Sequence, residues 1–293
     1  MYNAANRIPA MGSKVMALCL LAFSLLASSC GPDEEQRRAT SLYDEAEQAI
    51  AGGNYADANA LLDTLDTACR AQTEIRRQAL RLRLMAKEGM VIDSIGVLDE
   101  ALCRARIAND SLAPLFRHVD NNVGLDGYYL PKSAKGNAMN ATSIQPRVTD
   151  DGLFYIVANV EGRAIGLRQI EFRDLTSGES VASQASGDSR SVEVEGSEIA
   201  SFSPEEVLPL AEWLESHPLA AVCVLSGSRG KKELKLTGPQ KSDINLCLNY
   251  SRALQTLRNT SIAREKCERM LQIVRNQLAN QPAPDKEESG AVE

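Results

Sequence analysis

The side chains suited to chemistry are few and scattered. His118 and His217 are the only histidines, and neither has a second His or Cys at the spacing a metal ion needs. Ser228-Arg229-Gly230-Lys231 has the Ser-x-x-Lys spacing that lets a lysine activate a serine hydroxyl. It falls on an expected hairpin tip, however, not at a helix start, and no companion motif accompanies it. Neither a GxSxG turn nor a phosphate-binding loop is present. The pair Glu205-Glu206 opens a helix, where the macrodipole alone accounts for acid. The basic run Arg229, Lys231, Lys232 and Lys235 has two readings: contact with acidic polysaccharide or lipid headgroups, or a solvated hairpin whose lysines protect a sheet edge. Tyr128-Tyr129 and Trp213 could line a sugar site. Trp213 shares helix-face spacing with Leu210 and Leu214, which favours the core, while the tyrosines suit ligand contact or docking of a linker equally. Tyr128, Tyr129, Arg229 and Lys231 are therefore the candidate ligand contacts; no catalytic residue, metal ligand or cofactor is expected.

Composition narrows the classes. Hydrophobic residues make up 44% of the 293, which excludes wholesale disorder and a polytopic membrane protein. A formal charge of -7 argues against a nucleic-acid partner, and 4% aromatic residues leave little for stacking platforms.

The N-terminal end is the most specific part of the sequence. Arg7 and Lys14 are the only charges before Asp33, and residues 15–27 (VMALCLLAFSLLA) are apolar. With Ser28-Ser29-Cys30 behind it, this reads as a secretory signal peptide over residues 1–29; starts at Met1 and Met11 both fit. The run is shorter than the roughly 20 residues a spanning helix needs. Leu26-Ala27-Ser28-Ser29-Cys30 resembles a bacterial lipobox, with Ala27 where a large aliphatic residue is usual and Leu26 one place earlier. That looser form resembles lipoproteins of the Bacteroidota, and the resemblance implies that Cys30 is acylated and becomes the mature N-terminus. Asp33-Glu34-Glu35 then resembles a surface-export signal, or serves as a solvated tether over residues 30–39. Removal of Arg7 and Lys14 takes the formal charge from -7 to -9. Cys69, Cys103, Cys223, Cys247 and Cys267 remain, an odd number without a CxxC, with their pairing open. Cys247 and Cys267 fall on one helix about 30 Å apart and cannot bond to each other.

The elements that would position these residues follow from periodicity. Residues 40–113 read as short helices: Tyr43, Ala46, Ala49 and Ile50, a break at Gly52-Gly53-Asn54, then Tyr55, Ala58, Leu61, Leu62 and Leu65. A second pair is expected from Ile75, Ala79, Leu82 and Ala86, a break at Gly89, then Ile92, Ile95, Leu98 and Leu102. Leu62-Asp63 recurs as Leu98-Asp99, and Cys69-Arg70-Ala71 as Cys103-Arg104-Ala105. This period of about 34 residues, with Gly53-Asn54-Tyr55-x-x-Ala58, resembles tetratricopeptide repeats. Residues 114–141 read as an irregular connector. Residues 142–241 read as an antiparallel α+β domain, with the strands at 142–148, 152–160 and 165–172 forming a meander. Further strands at 191–194 and 198–202 precede a helix capped by Ser203 and Pro204, and strands at 220–225 and 232–236 follow it. A long helix over residues 242–280, open to a bend at Asn259-Thr260-Ser261, and a disordered tail over 281–293 complete the chain.

The whole arrangement resembles uncharacterised lipoproteins of the Bacteroidota. It implies a cell-envelope protein held to the membrane, with the outer membrane favoured, through its N-terminal lipid. The expected role is a non-enzymatic protein-binding or scaffold module whose partner is another envelope protein. Ligand capture of glycan or peptide is the alternative, and an envelope hydrolase the third reading. The same resemblance marks Thr64, Thr67, Ser94 and Ser111, each in an Asp-Ser/Thr-aliphatic triplet or its close variant, as O-glycosylation acceptors.

Overall fold

The computed structural model describes residues 32–120, 127–134, 141–183, 191–219 and 222–281. The signal segment, Cys30 and residues 282–293 lie outside them. Five α-helices and two antiparallel sheets give the expected α+β class among the described residues. The chain divides into two units, Met1–Gly96 with Glu265–Glu293, and Val97–Arg264.

The first unit is helical. Helix α1 (Pro32–Ala51) and helix α2 (Tyr55–Ala68) form the expected hairpin. Gly53 turns the chain between them at φ +78°, and Asn54 N–H returns to the Ala49 carbonyl at 2.8 Å. Helix α1 begins at Pro32, so Asp33-Glu34-Glu35 fall in its first turn. Proline is well placed at a helix start, and acid there complements the dipole. Glu35 Oε1 also accepts the Ala71 N–H at 3.0 Å, holding the turn after α2.

The second expected helical pair is a single helix. Helix α3 (Thr73–Leu112) runs 40 residues straight through Gly89. A glycine weakens a helix interior by about 1 kcal/mol against alanine, which tertiary contact readily overrides. Here the contact is Tyr55: a Cβ at position 89 would sit 2.3 Å from its ring. The glycine makes room for an aromatic side chain and does not end a helix. The residue pairs repeated at about 34 positions thus do not mark a second helix-turn-helix.

The small core of this unit contains Ala39, Ala46, Leu62, Leu65, Cys69, Ala79 and Leu82. At its rim Arg83 reaches Asp63 at 2.5 Å and Asp66 at 2.7 Å, and Arg76 meets Asp66 at 3.0 Å. Helix α5 (Gly238–Ala279) contributes its last turns, where Arg275 pairs with Glu88 at 2.7 Å and Leu278 O accepts from Arg81 at 3.3 Å.

The second unit is built on strands. The expected connector contains two of them, β1 (Phe116–Val119) and β2 (Tyr128–Pro131), paired antiparallel. Strands β3 (Ser143–Thr149) and β4 (Phe154–Glu161) follow as a hairpin through Asp151-Gly152. The expected three-stranded meander stops there. Strand β5 (Leu167–Arg173) belongs to the other sheet, between β6 (Ser180–Ala182) and β9 (Val222–Gly227). The neighbour of β4 is β8 (Ser197–Phe202), itself paired with β7 (Val192–Val194). With β10 (Gly230–Lys235), the sheets order as β1-β2-β3-β4-β8-β7 and β10-β9-β5-β6.

The alternation of each strand explains the core between them. Phe154, Ile156, Ala158 and Val160 of β4 are all fully buried on one face. Helix α4 (Pro204–Ser216) adds Val207, Leu210, Ala211 and Leu214. Its start has the expected cap, and Ser203 N–H donates to the Glu206 carboxylate at 2.6 Å. Helix α5 adds Ile244, Cys247, Leu248 and Tyr250, beginning one turn earlier than its pattern indicates and running unbroken through Asn259-Thr260-Ser261.

Candidate functional site

The densest polar and aromatic cluster gathers around His118 on β1. Its Nδ1 lies 3.0 Å from Asp120 and its Nε2 lies 2.8 Å from Asp150, in the turn after β3. The Tyr129 ring of β2 stands 4.9 Å away, and Tyr250 of α5 meets Tyr129 edge-on at 5.3 Å and stacks on Phe116 at 4.3 Å. The two tyrosine hydroxyls share a hydrogen bond. Burial, then the neighbouring Tyr129 and Asp150, pushes the Tyr250 phenol up to about 12. Both phenols therefore stay protonated near neutrality and act as hydrogen-bond donors, not as bases. What the cluster does chemically is tie β1, β2, the β3–β4 turn and α5 together.

The expected ligand contacts take separate places. Tyr129 is committed to this cluster, and Tyr128 holds the Arg147 guanidinium over its ring at 4.2 Å. Both belong to strand β2. Arg229, in the β9–β10 turn, pairs with Glu193 of β7 at 2.6 Å, and its backbone N–H donates to Ile165 O at 2.7 Å. Lys231, Lys232 and Lys235 are exposed on β10, an edge strand of its sheet. The tyrosines and the basic tip do not converge on one groove. Trp213 is half-buried against the core, with its ring stacked on His217 at 4.1 Å.

Thr64 and Thr67 lie exposed on α2, and Ser94 and Ser111 on α3. Each hydroxyl donates to a backbone carbonyl three or four residues earlier, as Thr64 does to Ala60 O at 2.9 Å and Ser94 to Met90 O at 2.7 Å. No disulfide joins Cys69, Cys103, Cys223, Cys247 and Cys267. Burial pushes the Cys223 and Cys247 thiols well up, so they are inert core side chains, while Cys103 is exposed. Among the described residues, no group of three or more His, Cys, Asp or Glu is placed to hold a metal ion.

Sequence reasoning missed one residue that organises the β unit. Glu198 on β8 is fully buried, and its carboxylate accepts the N–H groups of Ile165 at 2.7 Å, Gly166 at 3.0 Å and Leu167 at 2.6 Å. These residues lead the chain from one sheet into the other. Three charge-assisted bonds satisfy consecutive N–H groups of this crossing segment, whose carbonyls at Ile165 and Gly166 accept from Arg229 and Ser228. A carboxylate in an otherwise alternating strand, Ser-Glu-Ile-Ala-Ser-Phe, is the only signal the sequence offers for it. The chain matches no family model, no curated protein and no solved structure.

Proposed function

We propose that this chain is a lipid-anchored cell-envelope protein acting as a non-enzymatic protein-binding or scaffold module. The anchor reading is supported by the apolar run at residues 15–27 and the cysteine that follows it. No described helix is long and apolar enough to cross a membrane, so attachment in this reading falls to lipid on Cys30. The observation that carries the binding role is on α3. Within the helical unit, Leu80, Met85, Met90 and Ile92 are between 37% and 49% exposed. In this reading these exposed apolar side chains on α3 supply the contact with a protein partner. Met85 and Met90 also suit an adaptable contact, because the thioether side chain is flexible. The grooves beside these residues, each about 370 Å³, are open and lined by side chains such as Leu80, Leu84, Tyr55 and Met90.

Two experiments test the proposal. In cells, Cys30→Ala should move the protein from the membrane to the soluble fraction and block processing; retention in the membrane with normal processing overturns the anchor. Crosslinking in intact cells followed by pulldown should recover an envelope protein with the wild type, and much less with Met90→Glu plus Ile92→Glu. Recovery of free protein alone at native expression overturns the scaffold.

A further inference from the structure

His217 closes helix α4, and both of its ring nitrogens face acceptors. Nδ1 lies 2.9 Å from the Trp213 carbonyl, and Nε2 lies 2.8 Å from the Glu179 carboxylate in the turn between β5 and β6. A carbonyl oxygen and a carboxylate can only accept, so both contacts are hydrogen bonds only when the imidazole carries two protons. A neutral ring loses one of them. We infer that His217 is a pH-operated clasp that fastens the β5–β6 turn to the C-terminus of α4.

The surroundings favour the charged ring. From its own helix, the last carbonyls and the stacked Trp213 ring present negative potential. From the β5–β6 turn come Glu179 and Asp174, the latter capping Thr176 N–H at 2.7 Å and held below the ordinary carboxyl range mainly by such backbone bonds. From α5, Lys241 is spent on the carbonyl of the adjacent Pro218 at 2.6 Å. Arg252 of the same helix is committed to Glu212 and Glu215, and Arg173 of β5 to Glu171. The Trp213 carbonyl, against some desolvation and with help from Glu179, raises the His217 pKa above its ordinary value.

The sign follows. The clasp is complete below the ordinary histidine range, about pH 6.5, and is lost as pH rises through the raised value in the folded chain. On deprotonation the Ser216 hydroxyl, now donating to Trp213 O at 2.9 Å, can turn to Nδ1, 3.0 Å away. The ring then keeps at most a neutral bond to Glu179 and gives up both the ion pair and the Trp213 carbonyl. Because β6 is an edge strand, the segment so loosened is the one able to accept a further strand.

Trp213 is the chain's only tryptophan, so its fluorescence reads the stacked imidazole directly. Titrating the full chain between about pH 5 and pH 9 should give one transition with a midpoint above the ordinary histidine value. Glu179→Gln should lower that midpoint, and His217→Gln should abolish the transition. Amide exchange at Gly178 and Glu179, corrected for intrinsic rate, should accelerate across the transition in the wild type but not in His217→Gln. A transition that survives His217→Gln, a midpoint indifferent to Glu179→Gln, or turn amides equally protected on both sides each overturns the clasp. Glu179→Gln changes an exposed side chain, so it decides the matter even if His217→Gln fails to fold.

Discussion

The helical unit buries alanine and leucine where the β unit buries phenylalanine and isoleucine. Ala39, Ala46 and Ala79 let helix backbones approach closely, but each removes little apolar surface from water. Phe154, Phe172, Ile156 and Ile170 fill the space between two sheets with far more. Their polar devices differ in the same sense. The helical unit joins Arg83 and Arg76 to Asp63 and Asp66 at a solvated rim, where salt screens the attraction. The β unit puts Glu198 wholly inside and spends it on the backbone N–H groups of Ile165, Gly166 and Leu167. The two units thus differ in what they bury and in where they place charge, while both leave large apolar side chains such as Leu80, Met90, Val192 and Leu219 exposed.

Core truncations should separate the units most clearly. Phe172→Ala should cost the β unit about 3–5 kcal/mol, against roughly 2–3 for Leu62→Ala in the helical unit. Denaturant unfolding with exchange resolved by unit measures both, and equal losses would erase the contrast. Glu198→Ala should cost about 3 kcal/mol by orphaning three backbone N–H groups, with the exchange of Ile165 and Leu167 rising first. Gly89→Leu should cost roughly 1–3 kcal/mol by overpacking the Tyr55 ring, and adding Tyr55→Ala should recover part of the loss. If Gly89→Leu instead stabilises the protein, the glycine is not holding a place for the ring. Arg83→Ala should cost only about 1 kcal/mol, and less in high salt. The smallest effect is a gain: Glu195 sits at φ +45° before Gly196 in the β7–β8 turn, and Glu195→Asn should add about 0.5 kcal/mol.

Much of the fold was legible in local pattern. The Gly52-Gly53-Asn54 break, the Ser203 cap, the buried face of α4 and the turn at Ser228-Arg229 all stand where their residues place them. Each is decided within a few residues by backbone preference or one periodic face. The failures share another origin. Gly89 reads as a break until Tyr55, 34 positions away, is found against it. Strands β1 and β2 hide in Gly- and Asn-rich sequence because short strands need a neighbour, and theirs is β3. Tyr128 and Arg229 likewise gain partners, Arg147 and Glu193, that only the fold brings to them.

By itself the sequence determined the class of the fold and the helices with strong caps and faces. Periodicity and residue inventory are local properties, and no packing is needed to read them. Tertiary structure alone decided which strands share a sheet, that Glu198 bridges the two, and that His217 has an acceptor on each nitrogen. Apart from the Trp213 carbonyl, one turn before His217 on the same helix, those facts depend on groups far apart in the chain meeting within 3 Å, and the sequence specifies such meetings only through the whole core at once.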